Sequence, residues 1–129
     1  GVTVRLHGAA HIGHGAIIHG ATIGKNCLVG MNAVIMDNVI LGDECIVGAL
    51  AFIKADEKFP SRSLIVGNPA KLIKQVSDEM IGWKTEGTKL YQQLPEEMRK
   101  GWRACEPLTE VPDTISTQKA NYKTWNETK

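Results

Sequence analysis

The sequence has no excess of charge of either sign: 15 lysines and arginines stand against 14 aspartates and glutamates in 129 residues, a net charge of +1. A chain so balanced carries no electrostatic footprint for nucleic acid or for an anionic membrane surface. It also lacks any apolar run long enough to span a bilayer, and no signal-peptide pattern opens it. Cysteine is scarce and odd in number. Cys27 and Cys45 fall at a small interior position of the repeat described next, so they read as reduced, buried packing residues rather than half of a disulfide framework. That usage points to a reducing, cytoplasmic compartment. The chain starts on Gly1 rather than Met, with the repeat already under way nearby, so an N-terminal part is expected to precede it. The length suits one domain.

What the sequence does have is a beat of six. Ile12, Ile18, Ile23, Val29, Ile35, Leu41, Val47 and Ile53 recur every six residues, apart from one step of five between Ile18 and Ile23. Four places after each of the first seven comes a small or β-branched residue: Ala16, Thr22, Cys27, Ala33, Val39, Cys45 and Ala51. A helix requires a period near 3.6 and a half-buried strand requires alternation, so neither explains this spacing. Hexapeptide repetition marks a parallel β-helix, in which short strands stack coil upon coil around a narrow aliphatic interior. Asn26, Asn32 and Asn38 fall at the turns, where left-handed backbone angles are needed and asparagine tolerates them. The fold class expected is mainly β: a left-handed parallel β-helix followed by a C-terminal α-helix.

The β-helix is expected over residues 1–76, a helical segment packing on it over 77–105, and a polar tail over 106–129. Within the first, Gly1 to Ala10 reads as an edge strand and a loop, and Ala55 to Ser63 as an exposed loop interrupting the coil around Pro60. Leu64–Gly67 reads as a short buried strand, Asn68–Ala70 as a turn, and Lys71 to Val76 as the exit from the coil. Ser77 is a good helix N-cap, with Asp78 and Glu79 suited to the positive end of the dipole. Met80, Trp83, Thr88, Tyr91 and Leu94 form a stripe at helical spacing, and Pro95 should end or kink the helix before a second segment through Met98 and Trp102 to about Cys105. In the tail, Leu108, Val111, Tyr122 and Trp125 are candidate anchors to a neighbour, although the composition is that of a mobile segment.

All four histidines lie early: His7, His11, His14 and His19. In the register of the repeat His14 takes a corner and His19 directly follows an interior aliphatic, inside the hexad with the five-residue step. Neutral imidazole is the commonest nitrogen ligand for zinc, and a catalytic zinc keeps three protein ligands and one open position. Histidines in successive hexads lie on different faces of a three-walled coil, so one chain could hardly close a site with them, whereas adjacent subunits could. The alternative is a pair of exposed turn histidines that hold no metal.

The runs IGHGAIIHG (12–20) and LVGMNAVIMD (28–37) resemble the γ-class carbonic anhydrase family. So do IVGA (46–49), FIKA (52–55), VGNPA (66–70) and the spaced Trp83-Lys84, Gly87-Thr88 and Tyr91-Gln92, which are similar to its PaaY/CaiE branch. The resemblance covers most of residues 11–108. It implies a trimer with metal sites between subunits, where three histidines bind zinc, or iron or cobalt in some members, two from one subunit and one from its neighbour. His14 and His19 match the second and third of these metal ligands; the first belongs to an earlier coil, and His7 does not occupy its place. His11 is implied to be an outer or packing residue. The proton-handling glutamate and glutamine of the family belong to earlier coils, and Tyr91 matches a tyrosine that lines the site.

On that resemblance the expected chemistry is metal-bound hydroxide attacking carbon dioxide or a CoA thioester, with His14 and His19 as ligands and Tyr91 orienting the substrate. The partners expected are two further copies of the chain and a small-molecule substrate, with no nucleic acid and no membrane. Two alternatives stand beside it. Many hexapeptide β-helix enzymes are acyltransferases that use a histidine base with acetyl-CoA, and a non-catalytic trimeric scaffold gains weight from the first ligand's absence.

Overall fold

The computed structural model describes residues 2–113 and 123–128. It divides into two compact units, Gly1–Thr88 and Lys89–Lys129, with one helix running from the first into the second.

The first unit is the expected left-handed parallel β-helix. Nine two-residue strands, β1 (Arg5–Leu6), β2 (His11–Ile12), β3 (Ile17–Ile18), β4 (Thr22–Ile23), β5 (Leu28–Val29), β6 (Val34–Ile35), β7 (Ile40–Leu41), β8 (Ile46–Val47) and β9 (Phe52–Ile53), are followed by β10 (Lys58–Phe59) and β11 (Ser63–Gly67). Every third strand pairs in parallel. The first wall is β1-β4-β7-β10, the second contains β2, β5, β8 and β11, and the third is β3-β6-β9. The second wall is extended by β12 (Ala70–Gln75), which folds back antiparallel on β11 across the Asn68–Pro69 turn. The segment read as an exit from the coil is therefore a strand, because residues 70–75 complete the ladder that β11 would otherwise leave open.

The beat of six is the interior. Ile23, Val29, Ile35, Leu41, Val47, Ile53 and Ile65 are buried, with the small residues Cys27, Ala33, Val39, Cys45 and Ala51 beside them. Each hexad turns a corner through one residue of positive φ, and Asn26, Asn32 and Asn38 hold that place at φ 52, 55 and 58°, as expected. Cys27 and Cys45 are free, buried thiols that donate to the carbonyls of Gly42 and Pro60. The neighbouring Cys45 thiol, together with burial, holds Cys27 well above the usual thiol range.

Three further expectations about the coil need correction. Residues 55–63 are not a loop that interrupts the coil: Lys58–Phe59 pairs with Ile40–Leu41, and Asp56 and Arg62 make the usual positive-φ corners. The polar composition hid this, since Glu57 takes the small interior place and Phe59 the aliphatic one. Residues 1–10 likewise already belong to the coil, with Arg5–Leu6 paired to Thr22–Ile23 and a positive-φ corner at Ala9. In the five-residue hexad the small interior residue is Ala21, fully buried, and not Thr22. The chain loses its residue at the corner, so the interior place moves forward by one.

The helix α1 (Asp78–Gly101) is continuous, with Pro95 inside it rather than at a break. Ser77 caps it by accepting from the Met80 amide. Its buried residues are Lys84, Gly87 and Thr88, so the part in the first unit is seated by polar contacts and not by the stripe of Met80 and Trp83, which are half-buried. In the second unit, Leu94, Met98 and Trp102 are exposed, as are Leu108 and Val111 beyond the helix. Trp125 opens a 3-10 turn, Trp125–Thr128, and Tyr122 lies outside the described residues.

Candidate functional site

The three corners of the coil differ in what they can carry. At the corners after the first and second walls, the residue following the interior aliphatic is usually glycine, and space requires it. A Cβ on Gly24 or Gly42 would strike the backbone of Gly42 or Ser61 in the next coil, and one on Gly13 or Gly30 the backbone of residues 29–31 or 48–49. At the corner after the third wall the same place holds His19, Met36 and Lys54. That corner alone presents three full side chains there, one coil above another.

His19 begins this stack, and the short step shapes its surroundings. Coil-to-coil pairings elsewhere are 18 residues apart, as in Thr22 with Ile40 and Leu28 with Ile46. Pairings across the short step are 17 apart, as in Ile17 with Val34. The missing residue lies between Ile18 and Gly20, the latter in the left-handed region at φ 68°. The notch it leaves is filled from the next coil by Asp37, whose Oδ1 occupies the space that a Cβ on Gly20 would need. The same Oδ1 lies 2.9 Å from His19 Nδ1. It is buried and, among the described residues, has no hydrogen-bond partner, the ring meeting it short of hydrogen-bond alignment. The imidazole itself is 58% exposed. Nδ1 thus faces the carboxylate, and Nε2 is the ring nitrogen on the other side from it.

His14 sits on the corner after the second wall, before Gly15 at φ 69°. Its carbonyl accepts from the Asn32 amide of the next coil. His14 and His19 therefore flank the third wall from its two sides, and the structure does not bring them together in one chain. Among the described residues no group of three or more histidine, cysteine, aspartate or glutamate side chains converges on a point. The pairing of His19 with a carboxylate suits a metal-binding imidazole, whose second nitrogen is ordinarily held by an outer acceptor. The separation of His14 from His19 allows a shared ion only between copies of the chain.

His11 is outward on β2, its Nδ1 3.2 Å from Thr88 Oγ1. Burial, Lys84 and His14 lower its pKa from 6.5. Beside it, the buried Lys84 donates to the Ala9 carbonyl and to Asn26 Oδ1, both at 2.7 Å, while Asn26 Nδ2 donates to Thr85 Oγ1. This cluster fastens the start of α1 over the first corner. His7 is exposed at that corner, its amide bonded to the Ile23 carbonyl. Tyr91 lies in the second unit, 57% exposed. The residue that sequence reasoning missed is Asp37. The signal was available, because counting the five-residue step leaves Asp37 of the next coil over the missing position between His19 and Gly20.

A cleft of about 560 Å³ opens on the outside of the first wall, lined by Gly20, Asn38 and Asp56 from the third corner and by Arg5, Thr22 and Lys58 from the wall. Asn38 Nδ2 donates to Asp56 Oδ1 along its edge. No helix among the described residues is long and apolar enough to cross a membrane.

A repeating three-walled coil with asparagine corners and a histidine-bearing edge defines a class, and the chain belongs to the hexapeptide-repeat family. Residues 20–55 match the family model described as bacterial transferase hexapeptide (six repeats). Within that family the chain is similar to the carnitine operon protein CaiE of Salmonella newport, at 48% identity over 108 residues, covering 84% of this chain and 54% of that protein. The chain thus spans about half the length of the curated relatives it matches. Among solved structures, a hexapeptide transferase family protein from Anaplasma phagocytophilum shares the fold at TM-score 0.66 and 24% identity, over 74% of this chain and 62% of that one. Perosamine N-acetyltransferase from Caulobacter crescentus, in complex with CoA and GDP-perosamine, matches at TM-score 0.51 and 30% identity, over 56% of this chain and 34% of that one.

Proposed function

We propose that this protein is a metal-dependent, γ-carbonic-anhydrase-like member of the PaaY/CaiE type, acting in a cytoplasmic homotrimer on carbon dioxide or on a CoA thioester. The observation that carries this reading is the His19–Asp37 pair, which leaves one imidazole nitrogen presented at a corner. His14 of one copy and His19 of the next would hold a zinc, iron or cobalt ion between them. The wall that these two corners flank has Ile17, Val34 and Phe52 facing outward, Ile17 being 56% exposed, and burying such a face is what association of copies requires. The third protein ligand of a catalytic zinc is not assigned to a residue of this chain. An ion so held polarises carbonyl oxygens and activates water near neutral pH. The cleft lined by Gly20, the residue after His19, would give the substrate a place on the first unit.

A second reading is favoured by the likeness to a CoA-bound N-acetyltransferase: an acyltransferase in which His19, oriented by Asp37, is the general base toward an amine or hydroxyl acceptor. Three measurements on the purified protein separate the readings. Retained metal, with chelator-sensitive hydration of carbon dioxide or hydrolysis of phenylacetyl-CoA, supports the first. Chelator-insensitive transfer from acetyl-CoA supports the second. A trimer with neither metal nor turnover is a scaffold.

A further inference from the structure

We propose that Asp37 is a positioning residue that fixes His19 with its proton on Nδ1, and that the shortened corner is the feature that brings the two together. This deepens the metal reading above and rests on it for its consequence, though not for its geometry. A regular hexad would place one more residue between Ile18 and Gly20, at the position Asp37 occupies in the next coil and Ala55 in the one after. Removing that residue draws the chain inward and opens a notch one side chain deep. Gly20 keeps it open: a Cβ there would meet Asp37 Oδ1 and, at 3.2 Å, Val2 Cβ. Into the notch goes a carboxylate oxygen that is buried and lies 2.9 Å from the imidazole Nδ1. A carboxylate accepts and does not donate, so the neutral ring facing it must carry its proton on Nδ1, which leaves the Nε2 lone pair outward. At the His14 corner a comparable space over Gly15 is filled by Asn32 Oδ1, which belongs to a neutral amide.

The test uses histidine-labelled protein without metal, at alkaline pH where imidazole is neutral. Nitrogen NMR should report His19 as the Nδ1-protonated tautomer in the native chain. Asp37→Ala should move it toward the Nε2-protonated form, and Asp37→Asn, whose amide oxygen still accepts, should keep most of the native form. A glycine inserted between His19 and Gly20 restores the six-residue step. It should leave the β-helix circular dichroism intact while shifting the tautomer as Asp37→Ala does. Cobalt binding should weaken by about 10–100-fold in Asp37→Ala and in the insertion, and by less than about 10-fold in Asp37→Asn. An unchanged His19 tautomer in folded Asp37→Ala or in the folded insertion overturns the proposal. If the native chain binds no cobalt while its tautomer still depends on Asp37, the metal reading fails and the positioning role stands.

Discussion

The corner that carries His14 and the corner that carries His19 are built from the same repeat, yet they have opposite tolerances. At the first, Gly13 and Gly30 each lie against the backbone of the coil above, and Gly48 lies against Val66. At the second, His19, Met36 and Lys54 stand free of that restriction, and the loss of one residue admits a carboxylate from the next coil. Function can be added to a solenoid where backbone packing leaves room for a side chain, and this fold leaves that room on one edge of three. The remaining edge, after the first wall, is closed by the start of α1 through Lys84.

The sharpest way to break this comparison is to make equivalent changes at the two corners. Gly30→Ala drives a Cβ into the Ala49 amide nitrogen and should cost at least the upper part of the ~1–3 kcal/mol expected of overpacking. Met36→Ala, at the equivalent place on the other corner, should stay within about 1 kcal/mol. Thermal midpoints at matched protein concentration measure both, and equal losses would mean that the corners do not differ.

The edge closed by α1 makes a weaker, pH-dependent prediction. Lys84 is buried against a carbonyl and an amide oxygen, neither of them charged, and burial pulls its pKa from 10.5 down to about 8. Between those values the unfolded chain holds a proton that the folded one has released. Stability from this group therefore rises as pH increases through that window and is lost as pH falls toward 8. The thermal midpoint followed across the window should show the rise, and Lys84→Met should flatten it.

The smallest effect belongs to the same edge. Arg62 joins Glu44 at 2.9 Å and Asp78 at 2.6 Å, linking two coils to the first turn of α1. These are solvent-exposed pairs, so Arg62→Ala should lower the midpoint less than either change above, and added salt should shrink the difference. A loss as large as that of Gly30→Ala would show the edge to depend on charge rather than on Lys84.

Much of the first unit was legible before any coordinates. The beat of six named the interior, and Asn26, Asn32 and Asn38 marked positive-φ corners because that side chain tolerates them. Legibility failed where composition masked period: Glu57, Phe59 and Pro60 read as a charged loop although they keep the beat, and Arg5–Leu6 was too short a signal alone. The stripe on α1 was read in part: Thr88 is buried as it required, but Lys84 is buried by hydrogen bonding, which no hydrophobic pattern records, and Tyr91 and Leu94 are exposed. Of the candidate site, His14 and His19 stood out by type and spacing, Tyr91 by resemblance alone.

The sequence by itself determined that this chain winds into a three-walled coil and most of the side chains that fill it, because a six-residue period of aliphatics has one economical way to be buried. Only the tertiary structure decided what stands beside His19. Asp37 is 18 residues away along the chain, and one missing residue at a corner is what lowers it into hydrogen-bonding reach.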